Sequence, residues 1–345
     1  MKLDKLFSQF PIRNESVVGA QVYSHSGEYS PLVIDFSLPA KGVSFQFIRK
    51  YRSANSQVIG QMGRGWTFSY AKVLEEDVDD ILYHDGLGRM HRFKLIPQMG
   101  SYLSPDGLYM HLEAAGNTFS LKQRYGGVLT FERPEMGGRL RSIEDPNGNA
   151  LRFEYQKNAI QILDPLERRI DIRLDQNRIV SLSYADRTWQ YIYNDKECLI
   201  EVNQPPTKLL DHYNGSSTRY VYDEAFRLIS ITNPNNQVYL QNSYDDHGRI
   251  SQQKHGNGTF KFEYETIGET DLGFPIYRTQ VRLKNDALLD LRHDAFGRAA
   301  ERALLVSAET LSSLSPLPSS WPASAACCAA ARRARPSCWR SLTCA

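Results

Sequence analysis

One short pattern recurs along this chain and limits what it can fold into. It reads aromatic-Asp-x-x-Gly-Arg-apolar, and its copies are Tyr222-Asp223-Glu224-Ala225-Phe226-Arg227-Leu228, Tyr244-Asp245-Asp246-His247-Gly248-Arg249-Ile250 and His293-Asp294-Ala295-Phe296-Gly297-Arg298, with an earlier relative in His84-Asp85-Gly86-Leu87-Gly88-Arg89-Met90. The pattern has the chemistry of a hairpin. A strand ends on the aromatic, the Asp side chain accepts from turn amides, Gly takes the left-handed position, and Arg with an apolar residue opens the return strand.

The segments between these turns alternate with period two, as in Val43-Ser44-Phe45-Gln46-Phe47-Ile48, Leu151-Arg152-Phe153-Glu154-Tyr155 and Thr188-Trp189-Gln190-Tyr191-Ile192-Tyr193. Alternate strand residues face opposite ways, so each run has one packed row and one outer row. The tyrosines Tyr155, Tyr193, Tyr222, Tyr244 and Tyr264 follow at intervals of 38, 29, 22 and 20, a drifting period of one hairpin per unit. Such units bury their faces only against their neighbours. The expected fold is mainly β, an extended antiparallel sheet of repeated hairpins, with no long amphipathic helix before residue 300. Turns are expected at 145–149, 164–167, 223–227, 233–236 and 245–249, and Phe153, Tyr155, Ile192, Val221 and Phe262 are expected in strands.

The repeated pattern resembles the YD repeat of Rhs proteins, bacterial wall-associated proteins, insecticidal toxin-complex C components and teneurins. Upstream, Ser26-Gly27-Glu28-Tyr29, Asp35, Leu38-Pro39, Gly42, Arg49-Lys50-Tyr51-Arg52-Ser53, Gly60 and Gly63-Arg64-Gly65-Trp66-Thr67 stand in order. They resemble the domain of unassigned role that precedes the repeats in bacterial Rhs proteins, with its R-x-Y-x-S and G-x-G-W signature. The resemblance implies a spiralling β shell that encloses a C-terminal toxin and is delivered by type VI or toxin-complex machinery. It implies structural roles for Tyr222, Asp223, Arg227, Tyr244, Asp245, Gly248, Arg249, Asp294, Gly297 and Arg298 in the repeats, and for Arg49, Tyr51, Ser53, Gly63, Gly65 and Trp66 in the signature. The partners it implies are the enclosed toxin and the secretion or toxin-complex components, with no cofactor. No PAAR domain or toxin domain is legible, so the chain is expected to be the front part of a shell.

Other chemistries find little support. Asp223, Asp245 and Asp294 recur as turn residues, whereas a glycosidase needs one odd pair of carboxylates. Asp77, Asp79 and Asp80 read as a charged loop. The histidines His84, His91 and His293 lack metal-ligand spacing, and no G-x-S-x-G is present. Cys198 has no basic neighbour in sequence and reads as a small buried hydrophobe. The turn pair Asp145-Pro146-Asn147-Gly148 and Asp164-Pro165-Leu166-Glu167 imitates the family's self-cleavage spacing but lacks the second Gly. Exposed aromatics stacking on sugars make carbohydrate-binding or adhesion the rival function. Trp66 and Trp189 read as core.

Lys and Arg number 41 against 39 Asp and Glu, which offers no general attraction to nucleic acid. Residues 303–345 hold four Arg, one Glu and four of the five Cys, leaving 37 basic against 38 acidic residues before them. That tail has ten Ala and nine Ser but no Gly, Tyr, Phe or Asp, and reads as disordered or out of frame. The expected organisation is a leader over 1–15, an Rhs-type β domain over 16–95, a YD-repeat array over 96–302 and the tail. No apolar run has the length of a signal-peptide core or membrane span, and synthesis in the cytoplasm is expected. A strip of shell should expose a terminal strand near residues 288–296 and a bare apolar face, and should therefore self-associate.

Overall fold

The computed structural model describes residues 17–209, 212–270, 273–294 and 297–305. The expected leader and nearly all of the expected tail lie outside these residues. From Lys72–Asp77 to Ala299–Leu305, twenty-two strands form one sheet in sequence order, each antiparallel to its neighbours. The only helical segments among the described residues are single 3-10 turns at Ser53–Asn55 and Pro134–Met136. The long hairpin Leu199–Leu209 with His212–Tyr222 explains the interval of 29 between Tyr193 and Tyr222. All five expected turns join strands, and Phe153, Tyr155, Ile192, Val221 and Phe262 lie in strands.

The aromatic-x-Tyr triplets set which face is packed. Tyr191 and Tyr220 are buried, while the middle residues Ile192 and Val221 are 39% and 49% exposed. These two share the outer face with charged side chains such as Arg152 and Glu154. The packed face carries Phe153, Ile162, Ile170, Ile172, Leu182, Trp189, Leu228, Ile250 and Leu291 in one continuous cluster. Because hairpins alternate, the turns at 175–178, 194–198, 223–227, 245–249 and 294–298 lie on one rim.

The expectation of a bare apolar face does not hold. A layer formed by residues 17–70 lies on it, with a three-stranded sheet of Leu32–Leu38, Phe45–Tyr51 and Trp66–Phe68. Phe36 packs on Trp189 (4.6 Å between ring centroids), Phe47 on Tyr191 (5.9 Å), Trp66 on Tyr220 (5.4 Å) and Tyr70 on Phe153 (5.1 Å). Aromatic pairs at these separations combine large area burial with favourable ring electrostatics.

The edge also falls elsewhere than expected. Leu288–His293 is paired on both sides, by Pro275–Arg282 and by Ala299–Leu305. The strand Ala299–Leu305 has no outer partner among the described residues, and its Leu304 is 55% exposed. One more strand than the change in composition suggested follows Arg298. No ladder among the described residues joins this strand to Lys72–Asp77. That first strand instead turns back on the sheet, through a bridge between Val73 and Arg139 and a bond from the Leu74 N–H to the Gly138 carbonyl (2.9 Å). Gly138 (φ 60°) leaves no room there for a side chain, since a Cβ would stand 1.9 Å from the Leu74 oxygen.

Candidate functional site

The repeat turns share one five-residue geometry closed by the first side chain. At 245–249 the Asp245 N–H donates to the Arg249 carbonyl (2.8 Å) and the Gly248 N–H donates to the Asp245 carbonyl (2.9 Å). Asp245 Oδ1 accepts from the N–H of His247 (3.0 Å) and of Arg249 (2.9 Å), and Oδ2 accepts from Arg249 Nε (2.8 Å). Arg227 and Arg298 bind Asp223 and Asp294 in the same way, through Nε at 2.7 Å and 2.6 Å. The fourth position is left-handed whether it is Gly248 (φ 77°), Gly297 (φ 75°) or Phe226 (φ 60°). The extra residue shifts the ladder register at Tyr222 and at Tyr244, as a G1-type bulge does. Burial acts to raise the Asp245 carboxyl, but the amides and guanidinium of Arg249 outweigh it and hold the group below the usual range.

Arg227 and Arg249 also cover the tyrosine of the following repeat. The Arg227 guanidinium stands 4.7 Å from the Tyr244 ring centroid, and Arg249 stands 4.6 Å from that of Tyr264. The Tyr244 hydroxyl donates to the Leu228 carbonyl (2.9 Å) and the Tyr264 hydroxyl to the Ile250 carbonyl (2.7 Å). Tyr193 repeats the arrangement under Arg178 (5.5 Å), with its hydroxyl on the Ile179 carbonyl (2.7 Å). Tyr, Asp and Arg thus form a ladder in which each unit fastens the next.

The signature residues of the layer meet this ladder at 194–198. There Asn194 stands in for Asp, accepting from the N–H of Lys196 (3.1 Å) and Cys198 (2.9 Å), and Cys198 stands where the other turns carry Arg. Cys198 is buried, and burial pushes its thiol pKa up, away from nucleophilic use. Tyr222 donates to the Leu199 carbonyl (2.6 Å) and accepts from the Trp66 indole N–H (2.9 Å). The Arg64 N–H donates to the Glu197 carbonyl (3.0 Å), and its Nε donates to the Lys196 carbonyl (2.8 Å). Gly63 (φ 82°) is pressed against this turn so closely that a Cβ would lie 2.5 Å from the Glu197 oxygen. Gly65 packs beside the Tyr51 ring, and the Tyr51 hydroxyl donates to the Phe226 carbonyl (3.2 Å) while accepting from the Leu228 N–H (3.0 Å). Ser53 is buried and its hydroxyl accepts from the Tyr29 N–H (3.0 Å).

Arg49 is the most deeply buried cation of the layer. Its Nε and Nη2 donate to the two oxygens of Asp35 (2.5 and 2.8 Å), Tyr191 donates to the same carboxylate (2.9 Å), and Trp66, Tyr191 and Tyr220 surround the guanidinium at 5.0–5.8 Å. Burial acts to lower its pKa, and the Asp35 carboxylate outweighs that and keeps it charged.

Sequence reasoning did not see Asn194 as a repeat turn, the role of Asp35, or a polar seam farther along. In that seam Gln253 accepts from the Ala20 N–H (2.6 Å) and donates to Asn242 (2.9 Å). The signal available for 194–198 was its place before an apolar pair, one aromatic triplet after Trp189. Among the described residues no three His, Cys, Asp or Glu side chains are grouped to hold a metal ion, and His84 pairs instead with Glu75 (3.1 Å). Asp77 and Asp80, expected in a loop, end two strands of a tight hairpin and share Arg92. No helix among the described residues is long and apolar enough to cross a membrane.

Residues 135–272 match the family described as the teneurin YD-shell, and residues 19–93 match one described as a domain of unknown function. These matches support the chain as an Rhs/YD-repeat fragment. Its solved-structure similarities include a Photorhabdus luminescens Tc holotoxin pore (10% identity, 81% of this chain, 20% of that chain, TM-score 0.24). A TcdB2-TccC3 structure without its hypervariable C-terminal region aligns at 13% identity over 79% of this chain and 19% of that one, with a TM-score of 0.28. A porin-like protein from Bacteroides vulgatus aligns at 15% identity over 64% of this chain and 95% of its own, with a TM-score of 0.19. The chain spans about a fifth of the length of the first two, which were solved as toxin-complex assemblies. No curated protein matches. These TM-scores carry no argument, so the likeness rests on the two family models and on the YD ladder.

Proposed function

We propose that the chain is a non-enzymatic wall segment of a polypeptide-enclosing YD shell, with residues 17–70 sealing the apolar face of its first repeats. One observation carries the reading: an uninterrupted antiparallel sheet in which the repeat residues Asp223, Arg227, Tyr244, Asp245, Arg249 and Tyr264 fasten one hairpin to the next. The enclosed partner is a toxin polypeptide, delivered outside the producing cell by secretion or toxin-complex machinery. A sheet of this kind excludes protease from what it surrounds. Joined in frame through Leu305 to further YD repeats and a test polypeptide, the chain is expected to shield that polypeptide from added protease. Digestion at the rate of the free polypeptide would refute the shell reading.

A second reading, carbohydrate binding, draws on one specific feature. Tyr125 and Tyr109 are 84% and 65% exposed, and Arg124 lies between them, 5.7 Å and 5.0 Å from their ring centroids. Exposed rings flanking a guanidinium suit the apolar face and the hydroxyl or carboxyl edge of a sugar. If the chain is an adhesin, binding on a glycan array is expected to fall at least tenfold in Tyr125→Ala. An array without reproducible signal removes this reading.

A further inference from the structure

We infer that the missing arginine at position 198 is the address that tells the layer where to dock on the repeat rim. Arg178, Arg227, Arg249 and Arg298 occupy the rim at neighbouring turns, and three of them stand over or beside the ladder by the contacts above. At 194–198 the backbone keeps the repeat geometry, with the Asn194 N–H on the Cys198 carbonyl (3.1 Å) and Glu197 left-handed (φ 62°). What changes is the side chain. Beside this turn the Trp66 indole N–H reaches the Tyr222 hydroxyl (2.9 Å), and the Tyr51 ring lies 6.4 Å from that of Tyr222. At this turn the ring that an arginine covers elsewhere is instead held by the Trp66 indole N–H at its hydroxyl, while Arg64 donates to the Glu197 and Lys196 carbonyls and Gly63 packs against Glu197.

An arginine at 198 and Trp66 at Tyr222 therefore compete for one place. This inference concerns the docking register visible in the fold, and it stands whether or not the shell encloses a polypeptide. The test is a double-mutant cycle on the full chain. Cys198→Arg is expected to lower the urea midpoint and to remove hydrogen-exchange protection from the Arg64 amide, whereas Cys198→Ala leaves that protection in place. In a Trp66→Ala background the sign reverses: Cys198→Arg raises the midpoint, because the new guanidinium restores the ladder contact over Tyr222. If Cys198→Arg alone fails to fold, the Trp66→Ala background still decides. No gain of the double variant over Trp66→Ala, whether read as midpoint or as yield of folded protein, overturns the inference. So does full Arg64 protection in Cys198→Arg.

Discussion

Asp35→Ala is expected to cost about 3–5 kcal/mol, because it leaves a buried guanidinium without its counter-ion. Arg49 is 1% exposed, and both Asp35 oxygens are engaged by it. The surrounding rings of Trp66, Tyr191 and Tyr220 attract the cation but cannot replace a carboxylate, since an individual cation–π contact contributes about 0.5–2 kcal/mol. The loss should fall on the layer first, because Asp35 lies on Leu32–Leu38 and Arg49 on the paired strand Phe45–Tyr51. Removing both charges together, as in Asp35→Leu with Arg49→Met, should cost far less, since desolvating the ion pair offsets most of its attraction. Urea unfolding of the single and double variants measures this. A single variant within about 1 kcal/mol of the parent would mean that the pair is hydrated rather than buried.

Acidification from pH 6.5 to pH 4 is expected to unfasten the layer at its other end. His25 and His293 face each other with ring centroids 6.2 Å apart, and Ser24 Oγ lies 2.9 Å from His293 Nε2. Burial is the largest influence on both, lowering each pKa from 6.5 to about 4. Around His25, His293 and Arg52 push the same way and Asp294 opposes them, while the Tyr277 backbone and Asp294 oppose the shift of His293. The sign follows from which state binds protons. Below pH 6.5 the unfolded chain takes them up and the folded chain does not, so stability falls with pH and the loss levels off near pH 4. The loss is on the order of 3 kcal/mol for each imidazole. Unfolding midpoints across this range should drop steeply for the parent and less for a variant with Gln at both positions. Equal slopes for the two proteins would remove the histidines from the acid response.

The repeat turns were legible because each is a local device. An Asp side chain can reach the amides two and four residues ahead whatever surrounds it, so Asp223, Asp245 and Asp294 announced their turns in the sequence. Period-two alternation placed Phe153, Tyr191 and Phe262 on one face for the same reason. The left-handed fourth position was harder to read, since Phe226 and Glu197 hold it without glycine once the side chain at the first position has closed the loop.

What covers the packed face depended on contacts distant in sequence. Trp66 meets Tyr222 across 156 positions, and Ser24 meets His293 across 269. No periodicity encodes such pairings, because they arise from which complementary surfaces remain unburied after the hairpins form. The amino-acid sequence by itself therefore determined the β class, the hairpin turns and the inward rows of this protein. Only the tertiary structure decided that residues 17–70 fill the face of the sheet, that Asp35 neutralises Arg49, and that the edge is Ala299–Leu305. The physical reason is range: turn hydrogen bonds and strand alternation act over a few residues, whereas burial and charge neutralisation are satisfied by whichever distant partner the folded chain brings into contact.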